Sequence, residues 1–559
     1  MDILESFIKK DNRFSFNKLV GDFSAKQFYE MREFILIKIS DHEDKFDEYF
    51  EEDCVGLSQF DYFKFTFDFF YKKLGNVPKI LAINDPNSLI LMENKGHIRM
   101  KEHLNEINFD KKYIYQTIDW LIKLQNLSIE DENIINKHHY GMQSMEKEIK
   151  LFIDWYLKYL NQNDLKIFAS EIHNLFKLII DSKQTINHRD FQPRNILIQE
   201  NNIYVIDTQD ACIGPYICDI STLLFNTCKL FDDDDRTDFV NYYFKNQTFE
   251  ENYSKFFQKF LIYAFIRTLK SIGSHSRYLI RDNNYASLEI IQKNKLMLDD
   301  LKSKLNLPIM YNILDKNKLI PVILAAGKGT RMNSFLPKTL CEINGKPMLY
   351  YILDTVVKLN PHKIIIIVGH KKEVVIEKIL KYPYKNIEII EQKELLGTGQ
   401  ALMEASSDLK NFPGQLLILF GDKPLITLNT LEKLVSNFYE NNFDASLLSY
   451  LGETSFKKNG RIIKENNKIV EVHEDENLDF ISNEFVGGVQ LYNSIKLFEN
   501  LHLINNNNAK KEYYLADVIK IMTKKNLKIG SMRTNNLNEL LNVNTSSDLE
   551  TARLYLNSI

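Results

Sequence analysis

Two groups of residues in this 559-residue chain have the types and spacing that phosphorus chemistry requires. The first is Asn187-His188-Arg189-Asp190-Phe191-Gln192-Pro193-Arg194-Asn195, followed by two short apolar runs and Asp207-Thr208-Gln209-Asp210. A hydroxyl is a poor nucleophile near neutral pH, so a carboxylate must accept its proton as the bond to a nucleotide γ-phosphorus forms, and Asp190 suits that role. Magnesium takes hard oxygen ligands, which Asn195 and Asp207 can provide from a loop and a strand end facing it. The second group is Leu324-Ala325-Ala326-Gly327-Lys328-Gly329-Thr330-Arg331-Met332, with Pro337-Lys338 beyond it. Small residues and glycines let the backbone pass close to a ligand, so that its N–H groups can point at phosphate oxygens, while Arg331 and Lys338 add positive charge. A plain turn is the competing reading of Gly-x-Gly. The dinucleotide fingerprint fails, because Met332 stands where its third glycine belongs.

The elements that must position these residues follow from periodicity. Leu19–Ser24, Phe28–Met31, Phe34–Ile39, Val77–Ala82 and Ser88–Glu93 read as strands of a small five-stranded lobe, with a helix over 56–74 between them. Lys38 lies near the end of an apolar strand, where its ammonium could reach nucleotide phosphates, although a surface lysine is an equal reading. Glu93 joins it among the nucleotide-binding candidates. From about residue 98 the pattern is helical, including Glu146–Leu160, whose Phe152, Trp155 and Tyr156 read as core. Ile196–Ile198 and Ile203–Ile206 form strands before Asp207, and residues 290–305 have helical spacing. Residues 307–318 read as a linker, since Pro308 disfavours helix continuation. After it, Ile320–Ile323, Lys363–His370, Ile387–Gln392 and Leu416–Asp422 read as strands alternating with helices, which implies a doubly wound, mostly parallel sheet with ligands beyond the strand carboxyl ends. Gln392 stands at one such end, where an amide suits the edge of a pyrimidine base. Asp422 stands at another, after Phe420 and Gly421, where a magnesium carboxylate is needed.

His188-Arg189-Asp190 with Asn195 is the catalytic-loop pattern of protein kinases, and Asp207 takes the place of the second metal carboxylate. The half as a whole resembles the aminoglycoside phosphotransferase and choline kinase superfamily. Asp190–Asn195, Asp207–Pro215, Glu148-x-x-x-Phe152-x-x-Trp155-Tyr156 and Arg267–Gly273 look most like the anomeric kinases of N-acetylmuramate and N-acetylglucosamine. Asp207-Thr208-Gln209 replaces Asp-Phe-Gly and no Ala-Pro-Glu follows, which argues against a protein substrate.

The phosphate loop, Leu396-Gly397-Thr398-Gly399-Gln400-Ala401, Asn459-Gly460-Arg461, Glu474, Lys511–Asp517 and Asn542-Val543-Asn544-Thr545 resemble the uridylyltransferase domain of bacterial N-acetylglucosamine-1-phosphate uridylyltransferases. That likeness implies that Leu324, Ala325, Ala326, Gly327 and Lys338 lie on nucleotide phosphates, and that Gln392, Gly397 and Thr398 hold the uracil side. It implies Asp422 and Asn544 as magnesium ligands, and Gly460 and Glu474 facing the sugar. Two departures stand out. Val486-Gly487-Gly488 replaces the family's Asn-Thr-Gly, which puts the sugar in question, and no hexapeptide-repeat acetyltransferase region follows, so this half is not expected to acetylate its own substrate. No general base is needed here, because a sugar 1-phosphate is already largely ionised at neutral pH.

The expected architecture is therefore α/β and α+β: a kinase-like bilobal domain over 1–306 (small lobe about 1–97, large lobe about 98–306), a linker over 307–318, and a Rossmann-like nucleotidyltransferase over 319–559. A net charge of −4 gives no reason to expect nucleic acid or an anionic membrane as partner. The five cysteines include no Cys-x-x-Cys and fit reduced thiols of a cytoplasmic protein. The N-terminus lacks a signal peptide, no apolar run is long enough to span a bilayer, and Asp232–Asp235 reads as a solvated loop. The expected activity is a salvage pair using ATP, UTP and magnesium: anomeric phosphorylation of an N-acetylhexosamine, then uridylyl transfer to the sugar 1-phosphate, with N-acetylglucosamine the first choice and N-acetylmuramate the second. A choline kinase fused to a phosphocholine cytidylyltransferase is the enzymatic alternative. A sensor that binds without turnover is the rival from another class. The partners are small molecules, and the sequence does not give an oligomeric state.

Overall fold

The computed structural model describes residues 17–19, 26–31, 34–39 and 58–558, apart from 97, 105, 107–108, 130–134, 136–137, 226–230, 333, 453–459, 474–481 and 509. Glu474, Cys54, Cys228, Asn459 and most of the strand expected over Leu19–Ser24 lie outside the described residues. The chain divides into two compact units: Met1–Asp154 with Ser170–His275 and Ile290–Leu307, and Trp155–Ala169 with Ser276–Glu289 and Pro308–Ile559.

In the first unit, β1 (Asn17–Leu19), β2 (Lys26–Met31), β3 (Phe34–Ile39), β4 (Ile80–Asn84) and β5 (Leu89–Glu93) form an antiparallel sheet in the order β1-β2-β3-β5-β4. In β3 the residues Leu36, Ile37 and Ile39 are buried and Lys38 is exposed. Helix α1 (Gln59–Leu74) lies between β3 and β4 in sequence; the Ser58 hydroxyl caps it by accepting from the Asp61 amide at 3.0 Å, and Phe60, Phe63, Phe67 and Phe70 are buried. The larger part of the unit includes α2 (Lys112–Gln125), α3 (Met142–Trp155) and two antiparallel pairs. One pairs β6 (Gln184–Asn187) with β9 (Cys212–Pro215), the other β7 (Ile196–Gln199) with β8 (Asn202–Val205).

Three local expectations need correction. The helix expected over Glu146–Leu160 ends at Trp155, where turns replace it, although Phe152 is buried as expected. Asp232–Asp235 is not a loop but the start of helix α4 (Asp233–Asn246): Asp232 is its N-cap and accepts from the Asp235 amide at 2.8 Å. Carboxylates there meet unpaired N–H groups and the positive end of the helix dipole. The expected linker carries helix α5 (Pro308–Lys316), with Met310, Tyr311, Ile313 and Leu314 buried. Proline ends a preceding helix but suits the first position of a new one, where its missing N–H costs nothing.

The second unit is built on β10 (Leu319–Ala325), β11 (Glu342–Ile343), β12 (Lys346–Pro347), β13 (Ile364–Val368), β14 (Ile387–Glu391), β15 (Gln415–Phe420), β16 (Ala445–Leu451), β17 (Arg461–Glu465), β18 (Lys468–His473), β19 (Glu484–Asn493) and β20 (Ile529–Arg533). The main sheet runs β14-β13-β10-β15-β19-β16-β20. The first four strands and the β16–β20 pair are parallel, while β19 is antiparallel to both neighbours. This is the mostly parallel sheet expected. All of β13 is buried, and Ile320, Val322, Ile365, Ile367, Leu416 and Ile418 lie in the main core. Among the described residues, no helix is long and apolar enough to cross a membrane.

Candidate active sites

In the first unit the β6-to-β7 segment carries the candidate residues Asp190 and Asn195. The register Ile196↔Val205 and the bond from the Ile206 amide to the Asn195 carbonyl, 3.0 Å, bring Asn195 and Asp207 to the same end of the hairpin. Asn195 Nδ2 donates to Asp190 Oδ2 at 2.8 Å and to the Asp190 carbonyl at 2.8 Å, so Asp190, Asn195 and Asp207 form one constellation. Arg194 Nη2 donates to Asp190 Oδ2 at 2.9 Å, Gln192 Nε2 donates to Oδ1, and Arg267 Nη2 lies 3.7 Å from Oδ1. Burial alone would push the Asp190 carboxyl up, but Arg194 and Arg267 hold it well below the usual carboxylate range.

Arg189 and Asp207 both have left-handed backbones, φ 69° and 66°. For non-glycine residues such conformations cost about 1–3 kcal/mol and persist only where neighbours over-determine them. Asp219, fully buried, supplies that restraint at Arg189: its carboxylate accepts from the His188 amide at 2.6 Å and the Arg189 amide at 3.0 Å. His188 Nε2 lies 2.9 Å from the Ile206 carbonyl and ties the loop to the strand before Asp207. Sequence reasoning missed Asp219, because an aspartate inside the apolar run Ile217–Leu224 carries no motif of its own.

In the second unit the phosphate loop leaves the end of β10. Gly329 has φ +60°, and a Cβ on it would lie 2.6 Å from Lys338 Cβ, so the second glycine is needed both for the turn and for the passage of the lysine stem. Lys338 Nζ donates to Asp422 Oδ2 at 2.6 Å and to Asn544 Oδ1 at 2.6 Å, and Arg331 Nη2 reaches the same Asn544 oxygen at 3.2 Å. The Gly421 amide donates to the Leu324 carbonyl at 2.9 Å, which sets Phe420 and Gly421 beside the loop. Ala325 and Ala326 are buried and Gly327 is exposed with open space around it. Asn544 is fixed by its own amide, which donates to Asp548 Oδ2 at 2.9 Å.

Gln392, buried, donates from Nε2 to the Gly397 carbonyl at 3.0 Å and to Gln400 Oε1 at 2.6 Å. The 397–399 turn is packed on Tyr513: a Cβ on Gly397 would lie 2.6 Å from the Tyr513 carbonyl, and the Gly399 amide donates to that carbonyl at 2.8 Å. The Thr398 hydroxyl accepts from the Leu515 amide at 3.1 Å. Val486 donates its amide to the Gly460 carbonyl at 2.8 Å and packs against the main core.

No contact among the described residues joins Lys38 or Glu93 to Asp190; Glu93 Oε2 instead pairs with Lys95 Nζ at 3.0 Å and accepts from the Lys79 amide. Lys423 is a second residue that sequence reasoning missed. It is buried, its Nζ donates to the Leu540 carbonyl at 2.7 Å, and a Cβ on Gly488 would run into its stem. Burial pushes its ammonium down to about 8, against the pull of Asp422.

The donor set fits a hard cation in both units. Asp422 Oδ1 is buried with no hydrogen-bond partner, while its Oδ2 shares the Lys338 ammonium with the Asn544 side-chain oxygen; in the other unit Asn195 and Asp207 stand at the same end of the hairpin. Among the described residues no cluster of three or more His, Cys, Asp or Glu side chains is present.

A family model described as the phosphotransferase enzyme family matches residues 61–255, and one described as the MobA-like NTP transferase domain matches residues 321–496. Bifunctional protein GlmU of Streptococcus gordonii is 38% identical over 235 residues, 41% of this chain and 50% of its own length. Its counterpart in Streptococcus mutans is 39% identical over 227 residues, 40% and 48% of the two chains. That in Clostridioides difficile is 37% identical over 237 residues, 41% and 50%. These relatives match the nucleotidyltransferase part, and the chain spans about half the length of the curated relatives it matches. The chain thus joins a phosphotransferase-family domain to a MobA-like NTP transferase domain, an enzyme with a kinase half and a nucleotidyl-transferring half.

Proposed function

We propose that the protein makes a UDP-amino sugar from a free N-acetylhexosamine in two steps. The domains proposed for them are 1–306 for the kinase and 319–559 for the transferase. In the first step Asp190 accepts the proton of the anomeric hydroxyl as its oxygen bonds to the γ-phosphorus of ATP, giving ADP and a sugar 1-phosphate. In the second, an oxygen of that phosphate attacks the α-phosphorus of UTP and pyrophosphate leaves. Lys338 and Arg331 hold and neutralise the phosphates, and Gln392 with the 397–398 turn orients the base. Magnesium, held by Asn195 with Asp207 and by Asp422 with Asn544, would supply charge neutralisation at both sites.

The observation that carries this reading is the pairing of two complementary constellations in one chain. One gathers the Asp190 carboxylate with Asn195, and the other gathers the cations Lys338 and Arg331 about Asp422 and Asn544. A nucleotidyl transfer to a phosphate needs no base, whereas a transfer to a hydroxyl does. The resemblance of the second half to N-acetylglucosamine-1-phosphate uridylyltransferases favours a uridylyl reading with N-acetylglucosamine first, and Val486, which could accommodate a bulkier sugar, puts N-acetylmuramate second. The test takes the halves separately: ADP release with ATP and each free sugar or choline, and pyrophosphate release with UTP or CTP and each 1-phosphate. ADP release with choline alone, or pyrophosphate release with CTP alone, would replace this reading with the choline one.

A further inference from the structure

One buried carboxylate in the first unit stands outside the constellation above. Glu148, on α3, is 3% exposed, and its hydrogen bonds go to Arg189, Lys270 and Tyr140. Its Oε1 accepts from Arg189 Nη2 at 2.8 Å and from Lys270 Nζ, and its Oε2 accepts from the Tyr140 hydroxyl at 2.7 Å. The Arg189 guanidinium also lies over the Tyr140 ring, 4.3 Å from its centroid.

Two consequences meet at Asp190. Arg189 immediately precedes it with φ 69°, and while Asp219 holds the backbone amides, Glu148 is the side-chain anchor of the same residue. Charge is the other. Arg189, Arg194, Arg267 and Lys270 gather around Glu148 and Asp190, so Glu148 is the acid that offsets the cations Asp190 does not pair with. Burial opposes the charge on Glu148, yet Lys270, Arg189 and Arg267 hold its carboxyl down at about 2, so it stays ionised.

We infer that Glu148 is a positioning residue for phosphoryl transfer: by anchoring Arg189, whose left-handed backbone leads directly into Asp190, it holds Asp190 in place. This rests on Asp190 being the base. In Glu148→Gln, kcat of the kinase half should fall about tenfold or more, with KM for ATP and acceptor changed less than about threefold. Nucleotidyl transfer should be unchanged, which places the defect in the first unit. Hydrogen exchange in the full-length protein should rise in the peptide spanning His188–Asn195 in Glu148→Gln. Wild-type kcat in Glu148→Gln, or a loss that appears in KM, would overturn the proposal. If the wild type phosphorylates no acceptor, the kinase reading falls instead, and unchanged hydrogen exchange would still overturn the anchoring role.

Discussion

Asp422 and Asn544 are far apart in sequence, yet one oxygen of each lies 2.6 Å from the same Lys338 ammonium. The chain bonds support this meeting: the Val543 amide donates to the Asp422 carbonyl at 2.9 Å, and Lys423 reaches the Leu540 carbonyl. The lysine thus lies between two side-chain oxygens of the kind a divalent cation takes.

Asp422→Ala should therefore abolish magnesium-dependent nucleotidyl transfer, by at least about 10²-fold, because charge neutralisation by a bound metal contributes several kcal/mol to such a step. Phosphorylation of the free acceptor should be unaffected. Pyrophosphate release at the wild-type rate in this variant would remove Asp422 from the metal assignment.

Asp190→Asn should have the opposite selectivity. Positioned base catalysis is worth about 10²–10⁴-fold, so ADP formation with acceptor should fall by that factor while transfer from supplied sugar 1-phosphate continues. The asparagine keeps the size of the side chain, although it loses an acceptor for Arg194 and Asn195. Kinase turnover equal to the wild type would show that the proton goes elsewhere.

The aspartate beneath that loop gives a pH signature. Burial pushes the Asp219 carboxyl up to about 6, against the pull of His188 and the amides it accepts. Because the fold favours its protonated form, its contribution to stability is complete below the ordinary aspartate value of about 4 and is lost as pH rises through about 6. Across that window the wild type should lose on the order of 3 kcal/mol of unfolding free energy relative to Asp219→Asn. Denaturant titrations at several pH values measure it, and parallel pH slopes for the two proteins would contradict it.

Val486 gives a specificity test. Its amide is committed to the Gly460 carbonyl and its side chain is half-buried against the sheet core, so only the side chain distinguishes it from an asparagine at this place. Val486→Asn should shift the ratio of kcat/KM for N-acetylglucosamine 1-phosphate over N-acetylmuramate 1-phosphate several-fold, since one neutral hydrogen bond contributes about 0.5–1.5 kcal/mol. An unchanged ratio would leave Val486 with packing alone.

What could be read from the sequence was what depends on local pattern. Phe34–Ile39 is a short run rich in branched apolar residues and stands as β3, and Ile364–Val368 is a continuous apolar run and stands as the fully buried β13. Asp190 with Asn195, and the glycine loop before Lys338, were visible because their chemistry demands fixed spacing. What escaped depends on tertiary context. Asp232–Asp235 has the composition of a loop, and only the helix behind it makes it an N-terminus. Asp219 and Lys423 look like ordinary polar residues until burial and distant carbonyls or amides give them partners. Pro308 reads as a break whether it ends one helix or begins another.

The central claim is that the phosphate added in one half becomes part of the product of the other. It is tested most directly by incubating the protein with magnesium, UTP, N-acetylglucosamine and ATP labelled in its γ-phosphate, then separating the products and identifying them by mass. The account predicts that the label appears in UDP-N-acetylglucosamine, at the phosphate bonded to the sugar, with unlabelled ADP and pyrophosphate. Labelled CDP-choline when choline and CTP are supplied instead, with no label in any sugar nucleotide across a panel of N-acetylhexosamines, would contradict it.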